Sequence, residues 1–378
     1  MGFKILFTGG HYNSAVSTID WLKKAEPSIK FVWVGKKYVS VIGKKVTPEF
    51  LEVKKRNIPF YHIQAGKLFR TTSVQYVPQI LLNLILIPVG FVQSFLILVK
   101  ERPDLIVSFG GFIALPIVIC GKFFRIKSVT HEQTVILGLA NRIISKVVSH
   151  IYTSWPVDLY DVDKSYKKKM IYTGLPLSEA LLNQKKKITF DNNGLPVIYV
   201  TGGKSGAGFI NDIVMKSLEN LVEIANVIWS FGSAISDDVF HKAQDKVEKI
   251  SRKSIGKVLL KKYLYEDDLG SVYASCDIII CRGGAHTVYE IAVLQKYAII
   301  IPIPWVSYNE QYLNAQVLKN AGYAYILDQE KTSPYMLQVS VAKLLEKAKQ
   351  RPSYKKSVLV TKSGQENLGN EILKTLKK

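Results

Sequence analysis

The sequence is short of the residues that mark several common protein classes. It has only three cysteines, Cys120, Cys276 and Cys281, in 378 residues. Their spacing fits no metal-ligand pattern, and Cys120 and Cys281 fall in apolar runs that read as buried. A disulfide framework and a zinc module are therefore set aside for a reduced, cytosolic setting. Zinc-finger spacing, an RNA-binding signature and a basic zipper are also missing, so nucleic acid is not expected as a partner. No signal peptide is visible, because Met1-Gly2-Phe3-Lys4 runs straight into a strand. Acidic residues are scarce: 30 Asp and Glu stand against 51 Lys and Arg, for a net charge of +21. That excess favours an anionic membrane surface or a phosphate-bearing substrate, although a lysine-rich proteome explains it as well. No divalent-metal site and no cofactor are implied.

What is present is organised around Cys276–Ala315. Two apolar runs, Asp277–Cys281 and Ala298–Pro302, have the length of buried parallel strands. Between them Arg282-Gly283-Gly284 opens a helix from about Ala285 to Leu294. A strand, a glycine turn and a helix N-terminus present free N–H groups and a positive dipole end to an anion. Glu290, one turn beyond Thr287, is within reach of a sugar attached to that anion. The outline is that of a nucleotide diphosphate site.

The same β/α grammar runs through the whole chain. Lys4–Phe7 leads into Thr8-Gly9-Gly10-His11 and a helix. Asp104–Phe109 leads into Gly110-Gly111, and Ile126–Thr130 delivers His131-Glu132-Gln133 at its C-terminal end, where open α/β sheets bind ligands. That His–Glu pair reads either as functional or as a brace for the loop. After Tyr172-Thr173-Gly174-Leu175-Pro176 a second series begins, with Pro196–Val200 entering the turn Gly202–Ala207. The fold class expected is α/β, with two Rossmann-like domains facing each other across a cleft: residues 1–172, residues 173–350, and a C-terminal helix within 351–378 returning to the first domain. Ile80–Val99 is the most apolar stretch, close to the ~20 residues that cross a bilayer, but Pro88-Val89-Gly90 interrupts it and Asn83 and Gln93 lie inside it. It reads as a membrane span, as an ordinary buried helix, or as a helix whose exposed apolar face touches an anionic membrane, with Lys67, Arg70, Lys100 and Arg102 meeting head groups.

These motifs, in this order, resemble the family-28 glycosyltransferases of GT-B fold, and among them the MurG family. The likeness runs through Thr8-Gly9-Gly10-His11, Ser108–Phe112, His131-Glu132-Gln133, Gly138–Arg142, Gly174-x-Pro176, Gly202–Ala207, Arg282–Glu290 and Gln311-x-x-Asn314-Ala315, nearly the whole chain. It implies an inverting transfer of N-acetylglucosamine from UDP-N-acetylglucosamine to a polyprenyl-diphosphate-linked muramyl-peptide, lipid I to lipid II, by a peripheral enzyme on the cytoplasmic face of the membrane. By resemblance, Glu290 binds the ribose, and Ala285, His286 and Thr287 lie under the diphosphate. Tyr265 and Glu266 cover the uracil, and Gln311 binds the sugar. Lys204, Ser205 and Gly206 meet the phosphates, and Thr8, Gly9, Gly10 and Thr134 complete the donor set. His11, Gly110, Gly111, His131 and Glu132 form the acceptor side. His11 is the candidate general base, or alternatively an orienter of the acceptor.

The chain departs from the family where Thr134, Leu175 and Ser178 replace an Asn, an Asn and an Arg, and where Glu310 replaces a Gln. These changes leave the donor sugar open, with Lys204 as the candidate replacement cation. Competing readings are a transferase with another sugar or lipid acceptor, a UDP-N-acetylglucosamine 2-epimerase, and a donor-binding relative without catalysis.

Overall fold

The structure, a computed structural model, describes residues 2–39, 45–67, 76–183, 187–190, 193–350 and 360–377, without the side chains of Glu266 and Asp267. The chain divides into two compact units, Met1–Leu177 with Thr361–Lys378, and Ser178–Val360.

The first unit contains β1 (Lys4–Thr8), α1 (Tyr12–Ala25), β2 (Lys30–Gly35), α2 (Pro48–Lys55), β3 (Phe60–His62), α3 (Val77–Glu101) and β4 (Leu105–Ser108). It continues with α4 (Gly111–Phe123), β5 (Lys127–Glu132), α5 (Leu139–Ile144), β6 (His150–Thr153), α6 (Lys164–Lys167) and β7 (Met170–Tyr172). The strands form a parallel sheet in the order β3-β2-β1-β4-β5-β6-β7. Its order reverses between β1 and β4, so the two glycine turns that follow those strands sit side by side at the switch point, where such sheets bind ligands.

The second unit opens with α7 (Glu179–Leu182), β8 (Val197–Thr201), α8 (Gly208–Val222), β9 (Asn226–Ser230), α9 (Asp237–Ser251) and β10 (Val258–Lys261). Then come α10 (Glu266–Ser275), β11 (Ile278–Cys281), α11 (Ala285–Val293), β12 (Tyr297–Ile300), α12 (Glu310–Asn320), β13 (Ala324–Ile326) and α13 (Pro334–Gln350). Its parallel sheet runs β10-β9-β8-β11-β12-β13, and the switch point lies between β8 and β11. Both sheets are α/β and Rossmann-like. Their central strands are buried and mostly apolar because helices cover both faces.

Several expectations are corrected. The first unit extends to Leu177, beyond the expected 172, because the 173–177 segment is tied into it. Ser14 Oγ donates to Pro176 O at 3.1 Å, and Asn367 Nδ2 donates to Thr173 O at 3.0 Å. The last helix, α14 (Gly364–Lys377), returns to this unit, where Leu368 and Ile372 join the core with Ile19 and Leu22 of α1. Cys120 is half-buried rather than buried. α10 starts at Glu266, so Tyr265 and Glu266 stand at a helix N-terminus.

The largest correction concerns α3, a continuous 25-residue helix that Pro88 and Gly90 do not break. Asn83 and Gln93 turn toward the 64–67 segment. Gln93 Oε1 accepts from Gln64 N and Asn83 Oδ1 accepts from Lys67 N, both at 2.7 Å, and a Cβ on Gly90 would come within 3.2 Å of Ala65 Cα. Leu81, Ile85, Val92, Leu96 and Val99, spaced as one helical stripe, are exposed instead. Phe123 at the end of α4 extends that surface. This arrangement rules out an ordinary buried helix. By length and composition α3 is able to cross a membrane, yet one side of it is committed to packing on α4 and the 64–67 loop.

Candidate functional site

In the second unit the two turns at the switch point converge on a pocket of about 360 Å³. Gly206, Ala207 and Gly208 bring the N-terminus of α8 to its wall, and Gly284 and Thr287 bring that of α11. Neither N-terminus has a side-chain cap. The first helical bond of α11 runs from Val288 N to Gly284 O, so the amides of Ala285, His286 and Thr287 precede the ladder. Two dipoles therefore point at one cavity. Arg282 adds a full charge. It is buried, with Nη1 donating to Ile301 O at 2.8 Å and its guanidinium 5.7 Å from the Phe209 ring. Burial lowers its pKa to about 10, which still leaves it protonated at neutral pH.

The far wall comes from the turn after β12. Gln311 Oε1 accepts from Ile303 N at 3.0 Å, which leaves its amide N–H groups as donors. Asn314 Nδ2 donates to Gly283 O at 3.1 Å, and a Cβ on Gly283 would sit 2.1 Å from Gln311 O. Only glycine allows the two motifs to close on each other. Trp305, 74% exposed, and Gln329 complete the lining. Of the expected donor residues, the pocket gathers Gly206, Thr287 and Gln311. Arg282, Phe209, Ile303, Trp305 and Gln329 were not singled out as site residues. Arg282 opens the Arg282–Glu290 motif, whereas Trp305 and Gln329 carry no local sequence signal.

The other expected donor residues of this unit lie outside the lining. Lys204 and Ser205 face the 233–234 turn, where their carbonyls accept from Ser233 N and Ala234 N. Ala285, His286 and Glu290 are on α11, and Tyr265 is the exposed residue that precedes α10. The Glu266 side chain lies outside the described residues, as does Arg70.

The first unit is built differently. Gly9, Gly110 and Gly111 all have positive φ, and Gly10 N donates to Gly110 O at 3.1 Å, so the two turns lie against each other. Next to them Glu132 accepts five hydrogen bonds: from Gln133 N, Thr134 N, Thr134 Oγ1, Gly138 N and Asn141 Nδ2, at 2.8–3.1 Å. Asn141 Oδ1 in turn accepts from Thr130 Oγ1 at 2.8 Å. The Glu132 carboxylate thus braces the loop, and the Thr134 hydroxyl is engaged within that loop. His131 is buried, with Nε2 donating to Gly174 O at 3.1 Å. Burial, opposed by that bond and aided by His11, lowers its pKa to about 4, so it is neutral. Thr8 Oγ1, His131 Nδ1 and the Gln133 amide are buried without a partner among the described residues.

His11 is solvent-accessible by surface area although protein atoms surround it densely. Desolvation lowers its pKa and the charge of Glu132 raises it, the first prevailing. An Asp-x-Asp triplet, Asp161-Val162-Asp163, lies just before α6 and is not part of the pocket lining. Among the described residues no cluster of three His, Cys, Asp or Glu side chains is disposed to hold a metal.

Comparison with known proteins agrees with this geometry. The glycosyltransferase family 28 N-terminal domain matches residues 8–153, and the family 28 C-terminal domain matches residues 197–368. The UDP-N-acetylglucosamine–N-acetylmuramyl-(pentapeptide) pyrophosphoryl-undecaprenol N-acetylglucosamine transferase of Clostridium perfringens (strain SM101) is 31% identical over 388 aligned residues, covering 100% of this chain and 98% of its own. Among solved structures, MurG of Acinetobacter baumannii superposes with a TM-score of 0.67 at 18% identity, over 98% of this chain and 99% of that one. A Methanocaldococcus jannaschii UDP-GlcNAc 2-epimerase, bound to UDP-GlcNAc and UDP, superposes with a TM-score of 0.61 at 12% identity, over 99% and 100%. At those identities the structural likeness speaks for the fold alone. With both family-28 domains matched in order and a full-length relative at 31% identity, the chain belongs to glycosyltransferase family 28, in the MurG family, and is a glycosyltransferase.

Proposed function

We propose that the protein moves N-acetylglucosamine from UDP-N-acetylglucosamine to the polyprenyl-diphosphate-linked muramyl-peptide, lipid I to lipid II in peptidoglycan synthesis, inverting the anomeric carbon. The observation that carries this is the convergence of two uncapped helix N-termini and a buried arginine on one pocket. Such a site stabilises the diphosphate as the sugar bond breaks, with the charge supplied by fixed dipoles and Arg282. Glu290 takes the ribose in this reading, and Gln311 and Trp305 take the sugar. No metal is invoked, because these groups already provide the positive field.

In the first unit His11 is assigned the proton of the acceptor hydroxyl. A base must be unprotonated, so activity should fall as pH drops through its lowered pKa. His11→Ala should lower kcat by roughly 10²–10⁴, whereas a loss under about tenfold would make it an orienter.

The outward apolar stripe of α3, with Lys67, Lys100 and Arg102 exposed near its ends, supports a peripheral seat on an anionic bilayer where a lipid-linked acceptor is found. It also favours transfer over epimerisation, which needs no lipid. Incubation with UDP-N-acetylglucosamine and a lipid I analogue should release UDP and yield the β-linked disaccharide. Formation of the manno epimer from the donor alone, or absence of transfer, would overturn the proposal. Ile85→Glu with Leu96→Glu should abolish sedimentation with anionic vesicles while leaving activity on a water-soluble acceptor.

A further inference from the structure

The carboxylate of Glu290 is held from behind. Tyr273 on α10 is 1% exposed, and its Oη donates to Glu290 Oε2 at 2.6 Å. The Tyr199 ring, on β8, meets the Tyr273 ring edge-on at 5.8 Å, and buried Cys281 ends the neighbouring strand. Burial first, and then the nearby Glu290 carboxylate, hold the ionisations of Tyr273 and Cys281 above their ordinary ranges. Tyr199 is raised likewise by burial and by Glu290, against a hydrogen bond with Thr201. On this side the carboxylate thus faces groups that remain protonated at neutral pH, one of which donates a short bond to it.

A glutamate side chain has several rotatable bonds and, unrestrained, samples several rotamers. A hydrogen bond to a charged acceptor, made away from water, is among the stronger ones and fixes the plane of the group. A carboxylate that takes both hydroxyls of a vicinal diol must have that plane aligned with them. Tyr273 is too buried to touch a nucleotide itself.

We infer that Tyr273 is a positioning residue for nucleoside recognition: by holding Glu290 Oε2 it sets the orientation in which the carboxylate meets the vicinal hydroxyls of a ribose. The inference rests on the reading of Glu290 as the ribose ligand. Base and phosphate recognition do not depend on it, which gives it a signature that loss of packing lacks.

The test compares UDP with 2′,3′-dideoxy-UDP by calorimetry on the full-length chain. The wild type should prefer UDP. Tyr273→Phe should weaken UDP binding by about tenfold, the scale of one hydrogen bond to a charged group, and leave dideoxy-UDP binding unchanged. That second constant also shows that the variant is folded. Tyr199→Phe, which removes a neighbouring hydroxyl from the same aromatic wall, should keep the preference. If Tyr273→Phe retains the wild-type preference, or Tyr199→Phe loses it equally, the positioning role is overturned while ribose binding by Glu290 stands. If Glu290→Ala retains the preference, or the wild type shows none, the ribose assignment itself fails and takes the inference with it.

Discussion

The switch points of the two sheets solve different problems with the same β/α grammar. In the second unit, glycines and helix N-termini leave a hollow, and what is offered to a ligand is mostly backbone and dipole, with Arg282 behind. In the first unit, the space beside the glycine turns is filled by a hydrogen-bonded web centred on Glu132, with His131 pinned to Gly174. One half works by what its residues leave open, the other by what its side chains hold fixed. Substitutions should therefore act oppositely: removing a side chain damages the first unit, and adding one damages the second.

The largest effect is expected from Glu132→Ala. It strands several buried donors at once and should cost roughly 3–5 kcal/mol of first-unit stability in urea unfolding. UDP binding, which we assign to the other unit, should stay unchanged, and its loss would break the contrast.

Next in size is a pH effect. His131 has an ordinary pKa of 6.5 unfolded and about 4 folded. As pH falls below 6.5 the unfolded chain takes up a proton that the native state refuses, so stability should drop by roughly 3 kcal/mol by pH 4. Glu49 acts in the opposite sense. Burial, against a bond from Trp33 Nε1, raises its pKa to about 7, so its contribution is present at low pH and is lost as pH rises through 7. The difference in unfolding midpoint between wild type and His131→Gln across this range isolates the histidine, and a flat difference would refute the assignment.

A smaller effect is expected in the hollow half. Gly283→Ala places a methyl against Gln311 O, and overpacking of roughly 1–3 kcal/mol there should weaken UDP-sugar affinity about 10- to 100-fold. The first unit's hydrogen-exchange pattern should not move. Smallest is Trp305→Ala, which removes an aromatic face from an open rim. It should raise KM for the sugar nucleotide by about three- to tenfold with kcat little changed. An unchanged KM would remove Trp305 from the sugar subsite.

Much of the fold was legible because it is local. Apolar runs of strand length, glycine turns and helical periods announce a β/α alternation residue by residue, and the series starts again after Pro196. The start of α11 at Ala285 and the position of Glu290 one turn beyond Thr287 follow from spacing alone. Other features depended on partners far away in the chain. The His-Glu-Gln motif read either as a ligand site or as a brace for the loop; its carboxylate is held by Gly138 and Asn141, and Nε2 of its imidazole by Gly174. Lys204, a natural substitute for a lost cation, turns out to lie outside the pocket lining, while Arg282 supplies the charge.

The sequence by itself determined the two β/α halves, the glycine turns at their switch points and the family, since each is written in short-range pattern. Only the tertiary structure decided which side of α3 faces outward, where the first unit ends, and that Trp305 and Gln329 reach the pocket of the second unit. Those facts depend on contacts between segments distant in the chain, and hydrophobic period and motif spacing carry no record of which distant surface a residue will meet.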